Sequence, residues 1–107
     1  MPVARTLPIM TAMALLAMTA PSPAATITIV MQNLVITPAE VSAKVGDTIE
    51  WVNKDVVAHT ATAQQGGEFD VMLPANKGGS LVVNTAGTFP YFCRFHPNMK
   101  ATLTVVP

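Results

Sequence analysis

Cysteine occurs once in this chain, at Cys93, so no disulfide can close within it. Histidine occurs twice, at His59 and His96, and aromatic residues make up 6% of the 107 residues. Charge is scarce: 11% of residues are ionic, six basic against six acidic. That balance gives a polyanion nothing to bind, so no nucleic-acid partner is expected. Half of the chain is hydrophobic, far too much for a disordered segment. No apolar run reaches the roughly 20 residues that span a bilayer. A Ser-His-Asp arrangement and a phosphate-binding glycine loop are both missing, and with them the commonest hydrolytic and nucleotide chemistries.

The longest apolar run, Leu7 to Ala20, has 14 residues. Arg5 precedes it and the small and proline residues Pro21-Ser22-Pro23-Ala24-Ala25 follow it. A basic start, an apolar middle and a small-residue cleavage site read residues 1–25 as a cleavable secretory signal peptide, cut after Ala24 or Ala25. A buried N-terminal helix is the plainer alternative. The leader holds no cysteine for a lipid anchor, and no second long apolar segment follows. Residues 26–107 are therefore expected to form one soluble domain, exported to the periplasm, with no stable membrane insertion. It keeps five basic and six acidic residues, and three methionines, Met31, Met72 and Met99.

An all-β pattern runs through that domain. Thr26–Met31 alternates polar and apolar residues, as does Glu40–Val45, which ends at the turn pair Gly46-Asp47. Leu34–Ile36, Thr48–Asn53, Thr60–Ala63, Ser80–Asn84, Thr88–Cys93 and Ala101–Val105 read as further strands. Gln64–Gly79 is rich in Gly, Pro, Asn and Gln and reads mainly as loop, pinned to the core by Phe69 and Leu73. Pro90 argues for an edge position or a bulge in its strand. Seven to eight short strands with turn signals between them predict a β-sandwich. A core this small is marginal, so a bound metal would add useful stability.

Chemistry concentrates in Tyr91-Phe92-Cys93-Arg94-Phe95-His96-Pro97-Asn98-Met99-Lys100, which spaces a thiol, an imidazole and a thioether as Cys-x2-His-x2-Met. His59 lies 34 residues before Cys93 in a predicted loop. Two imidazoles and a thiolate in one plane, with a weak axial thioether, are the ligands of a blue-copper site. Taken singly, each residue has an ordinary explanation: a small buried thiol, a hydrogen-bonded histidine, a methionine filling core. Taken together, the only cysteine and one of two histidines fall within seven residues of a methionine. That coincidence favours a metal.

These segments resemble the cupredoxins, with a His-to-Met gap like that of amicyanins and a broader similarity to plastocyanins and pseudoazurins. Pro38-Ala39-Glu40-Val41 with Val45-Gly46-Asp47-Thr48-Ile49 resembles the family's early strands, Trp51-Val52-Asn53-Lys54-Asp55 with His59 the segment giving the first histidine ligand, and Gly87–Cys93 with His96-Pro97 and Met99 the segment giving the rest. The resemblance implies a Greek-key sandwich holding one type 1 copper through His59, Cys93, His96 and Met99. Thr60 stands where the family often has an asparagine bracing the copper loop, Ala101 where glycine is common, and Arg94-Phe95 where many relatives carry Thr-Pro or Ser-Pro. Arg94 is thus either a docking or potential-setting charge or a solvated loop arginine.

A closed four-ligand site suits redox cycling better than substrate binding, so electron transfer is the expected function and no enzymatic activity is expected. The resemblance places the electron exit at His96 within an apolar patch, for which Phe95, Pro97, Met72 and Pro74 are candidates. Expected partners are a redox donor and acceptor, such as a dehydrogenase or a c-type cytochrome, and a monomer is the default state. The competing reading is copper delivery or homeostasis without a shuttle role, which usually draws on many exposed Met and His. Oxidases and nitrite reductases need further histidine-rich centres that this chain cannot supply.

Overall fold

In the computed structural model of this chain, Ala4, residues 23–65 and residues 67–107 are described. The remainder of residues 1–25, read above as a leader, lies outside them. Among the described residues nine strands form: β1 Thr26–Gln32, β2 Val35–Thr37, β3 Glu40–Lys44, β4 Thr48–Asn53, β5 His59–Ala63, β6 Asp70–Leu73, β7 Gly78–Val82, β8 Gly87–Phe92 and β9 Lys100–Val106. They make two sheets, one ordered β2-β1-β4-β7 and the other β3-β9-β8-β5-β6. The chain crosses between sheets after β2, β3, β4, β6 and β7, so each sheet is assembled from strands distant in sequence.

Alternation decides what faces inward. Along β1, Ile29 and Met31 are buried; along β4, Ile49, Trp51 and Asn53; along β9, Ala101, Leu103 and Val105. The parallel register of β1 with β4 sets Ile29 against Trp51 and Met31 against Asn53, so the inward residues form continuous rows. Trp51 is the largest fully buried side chain; Tyr91 meets it edge-on with ring centres 5.7 Å apart, and Phe69 packs against both. Leu73 is buried and Phe69 packs on the core, as expected of the residues that pin the 64–79 segment.

The expected all-β sandwich is present, and two of its details differ from expectation. It has nine strands rather than seven or eight, because Asp70–Leu73, read as loop, pairs with β5. Its four residues do alternate, with Val71 and Leu73 turned inward, but the Gly- and Pro-rich flanks mask so short a run. Pro90 is also not on an edge strand, since β8 lies between β9 and β5. The β5 ladder reaches β8 only at Phe92 and Tyr91, and beyond it the Pro90 carbonyl accepts from Gln64 N–H at 2.9 Å. A residue's N and O project from the same side of a strand, so the donor Pro90 lacks is missing where the ladder has already ended.

Candidate metal centre

Three spaced residues become neighbours through backbone turns. In Cys93-x2-His96-x2-Met99, His96 N–H donates to the Cys93 carbonyl at 3.2 Å and Met99 N–H to the His96 carbonyl at 2.9 Å. Cys93 N–H in turn donates to the Met99 carbonyl at 3.0 Å, closing the segment on itself. A spacing of three is what an i-to-i+3 turn requires, and two such turns fold Cys93, His96 and Met99 into one compact loop between β8 and β9. His59, expected in a loop, is instead the first residue of β5, where its backbone joins the ladder opposite Leu73.

The result is a cluster in which His59, Cys93 and His96 each offer one ligand atom, all within 4.8 Å of one another. His59 Nδ1 lies 3.6 Å from Cys93 Sγ and His96 Nδ1 lies 3.7 Å from it. The two imidazoles stand edge-to-face with centres 5.0 Å apart. His59 and Cys93 are fully buried, Met99 nearly so, and His96 is half-buried. The structure thus brings together the three nitrogen and sulfur donors expected from the sequence, and buries Met99 in the same loop.

Residues around the cluster hold it in one state. His59 Nε2 lies 2.7 Å from Asp55 Oδ2. A carboxylate only accepts, so Nε2 carries a hydrogen, and Nδ1 is the nitrogen that faces the sulfur. Asp55 is itself held by the β1–β2 hairpin: Asn33 N–H donates to Oδ1 at 2.7 Å and Leu34 N–H to Oδ2 at 3.1 Å. The His59 hydrogen bond, aided by these two amides, keeps the Asp55 carboxyl below the usual range. Asn53, almost fully buried, ties the base of this loop, its amide donating to the carbonyls of Val57, Leu73 and Pro74 and its Oδ1 accepting from Asp55 N–H at 2.8 Å.

The sulfur has a backbone donor too, Thr60 N–H at 3.4 Å. The Thr60 hydroxyl accepts from Arg94 N–H at 2.8 Å, tying β5 to the Cys93 loop as the resemblance asked of an asparagine there. Thr60 and Thr62 hydroxyl oxygens are 2.9 Å apart, and Thr62 Oγ1 is 2.7 Å from Asp70 Oδ1. Because Thr62 has one hydrogen and Asp70 only accepts, Thr62 donates to Asp70 and Thr60 to Thr62. The Arg94 Nε–H reaches the same Asp70 oxygen at 3.2 Å. A closed circuit results, running from the Arg94 backbone through two hydroxyls and a carboxylate to the Arg94 side chain. Arg94 is therefore anchored through Asp70, and its guanidinium also rests 5.7 Å from the centre of the Phe95 ring.

Asp55, Asn53, Thr62 and Asp70 were not singled out from the sequence as parts of the site. Asp55 had a legible signal, the i,i+4 spacing to His59; Asp70 had none while its strand was read as loop. A cleft of about 320 Å³ is lined by Phe69, Leu81, Val83 and Phe89 among others, and no cluster residue borders it.

Comparison with known proteins agrees with this geometry. A family model described as a cupredoxin-like domain matches residues 6–105. The chain is similar to amicyanin of Paracoccus versutus, 29% identical over 91 residues covering 78% of this chain and 67% of that one. It is similar also to plastocyanin of Scenedesmus fuscus, 34% identical over 85 residues covering 67% and 87% respectively. The crystal structure of the Paracoccus versutus amicyanin superposes with a TM-score of 0.68 at 28% identity, covering 82% of this chain and 86% of that one. A Cu(I) structure of an amicyanin mutant with alanine in place of a methionine gives 0.68 at 28% identity, covering 76% and 82%. A single thiolate with two imidazoles and a thioether suits copper and matches structural zinc poorly. With its two-sheet sandwich and this donor cluster, the chain belongs to the cupredoxin-like family, and its cofactor is copper.

Proposed function

We propose that the mature chain is a soluble periplasmic electron-transfer protein in which His59, Cys93, His96 and Met99 hold one type 1 copper. The observation that carries this reading is the pair of imidazole Nδ1 atoms set 3.6 and 3.7 Å from one buried cysteine sulfur. Copper bound there would supply a one-electron couple between Cu(II) and Cu(I). The protein's own part is to keep the donors fixed. Asp55 holds the His59 tautomer, the Thr60 N–H offsets negative charge on the sulfur, and the three-bond loop holds Cys93, His96 and Met99 together. Donors so braced need move little when charge changes, which suits repeated electron exchange.

His96 is the one member of the nitrogen and sulfur cluster that reaches the surface, and so the point where an electron would enter or leave. Phe95, 49% exposed, and Pro97 flank it in sequence. Met72, 48% exposed, sits opposite Thr60 in the β5–β6 register, with Pro74 two residues on. Exposed Phe95 and Pro97 beside His96, which Met72 and Pro74 would extend, support brief docking by a redox donor and acceptor, such as a dehydrogenase and a c-type cytochrome, and a monomeric shuttle fits it. The similarity to amicyanin and plastocyanin supports a carrier rather than an enzyme.

The test is the visible spectrum of the purified domain with one equivalent of Cu(II). An intense thiolate-to-copper band that bleaches with reductant, returns with oxidant and is missing in Cys93→Ala is expected. A colourless protein that binds Cu(I) tightly would replace electron transfer with copper delivery.

A further inference from the structure

The start of the domain is held by a buried carboxylate at an unusual place. Ala25, just before β1, donates its N–H to Asp47 Oδ1 at 2.9 Å, and its carbonyl accepts from Thr48 N–H at 2.9 Å. Asp47 sits in the turn between β3 and β4, only 6% exposed, with Oδ2 taking the Lys44 N–H at 2.8 Å. The Lys44 and Ala25 amides, in that order, hold its carboxyl below the usual range. In the full chain both donors are neutral amides, and Lys44 is the cation beside the carboxylate.

We propose that export cleaves the Ala24–Ala25 bond and that the α-ammonium created on Ala25 pairs with the Asp47 carboxylate, fastening the first strand of the mature domain. This rests on the export reading above. Of the two cleavage points open in the sequence, this one puts the small residues Ser22 and Ala24 third and first before the cut. Cleavage one residue later would put Pro23 in the third position and discard the nitrogen that Asp47 holds. In the cleavage, a signal peptidase adds water across the Ala24–Ala25 peptide. The new carboxylate leaves with the leader, and the new amine on Ala25 takes up a proton. The nitrogen already lies at bonding distance, so the backbone need not move. Its bond, already charge-assisted on the carboxylate side, becomes an ion pair with both partners charged. Full stability is then reached only after the leader is gone, on the far side of the membrane, where folding is wanted.

The experiment starts from the full chain expressed with its leader in a bacterial host. Intact mass and N-terminal sequencing of the exported protein are expected to place the first residue at Ala25. A start at Thr26 or further on overturns the proposal and leaves export standing; a chain found only with its leader attached overturns both. The exported protein is then acetylated at its α-amine, which keeps an N–H on Ala25 and removes the charge. Urea denaturation is expected to show about a fivefold loss in the folding constant. The same acetylation should change nothing in Asp47→Asn, and equal losses in both proteins overturn the pairing. Should Asp47→Asn fail to fold, a glycine inserted between Ala24 and Ala25 moves the charge one residue away while Asp47 stays. That protein should lose as much as the acetylated one, and an unchanged folding constant overturns the proposal.

Discussion

Trp51 Nε1–H donates to the Tyr91 hydroxyl at 3.2 Å, between side chains that are 0% and 1% exposed. Burial pushes the Tyr91 phenol up to about 12 from its usual value, the Trp51 hydrogen bond opposing part of the rise. Because the folded pKa is the higher one, the stability this group contributes is complete below about pH 10 and is lost as pH climbs from 10 through 12. Tyr91→Phe should abolish that alkaline loss. At neutral pH it should cost about 1–3 kcal/mol, because the Trp51 donor is left buried without a partner. Urea denaturation across a pH series measures both effects. Thr60 offers a second residue-scale test. Thr60→Val keeps the shape but leaves Arg94 N–H without its acceptor, for an expected loss of about 1–2 kcal/mol. Thr60→Asn, which restores an acceptor, should lose less in the same denaturation experiment. The sequence pointed to Thr60 as the departure to watch. Its partners Thr62 and Asp70 stayed hidden, because a hydroxyl–carboxylate relay depends on which strands lie side by side.

At the scale of elements, the β1–β2 hairpin joins stability to the site. Its two-residue turn holds both Asn33 (φ 54) and Leu34 (φ 61) in the left-handed region, the form of turn that prefers Asn-Gly. Leucine there is strained by its Cβ, typically by about 1–2 kcal/mol, and its side chain is 50% exposed, so burial returns little. Leu34→Gly should therefore stabilise the fold by about 1 kcal/mol in thermal or urea denaturation, while the Leu34 N–H bond to Asp55 survives. The strands expected from alternation are all present, because inward residues repeat every second position whatever they pair with. β6 escaped that reading, since four residues between glycines and a proline carry too short a pattern. It is nevertheless the strand that brings Asp70 to Thr62 and sets Leu73 against His59.

For the whole molecule, a copper held by the four proposed ligands would tie the start of β5 to the turn after β8, beyond the two residue pairs that join those strands. His59 opens β5, while Cys93, His96 and Met99 fill the turn from β8 to β9, and β9 in turn lies between β8 and β3. An ion bound to the folded site and not to the unfolded chain stabilises by mass action, about 2.7 kcal/mol at a free concentration roughly 100 times the dissociation constant. Copper addition should raise the melting temperature of the domain, chelation should return it to the metal-free value, and Cys93→Ala should show no such shift by calorimetry. The sequence by itself determined the all-β class and the grouping of Cys93, His96 and Met99, because alternation and a three-residue turn spacing are local properties. Only the tertiary structure decided that Asp55 fixes the His59 tautomer and that Asp70 closes the circuit through Thr60 and Arg94. It alone put the Ala25 nitrogen on Asp47. Each of these contacts depends on which distant segments the two sheets bring within hydrogen-bond reach, and that choice belongs to the packing of the whole chain.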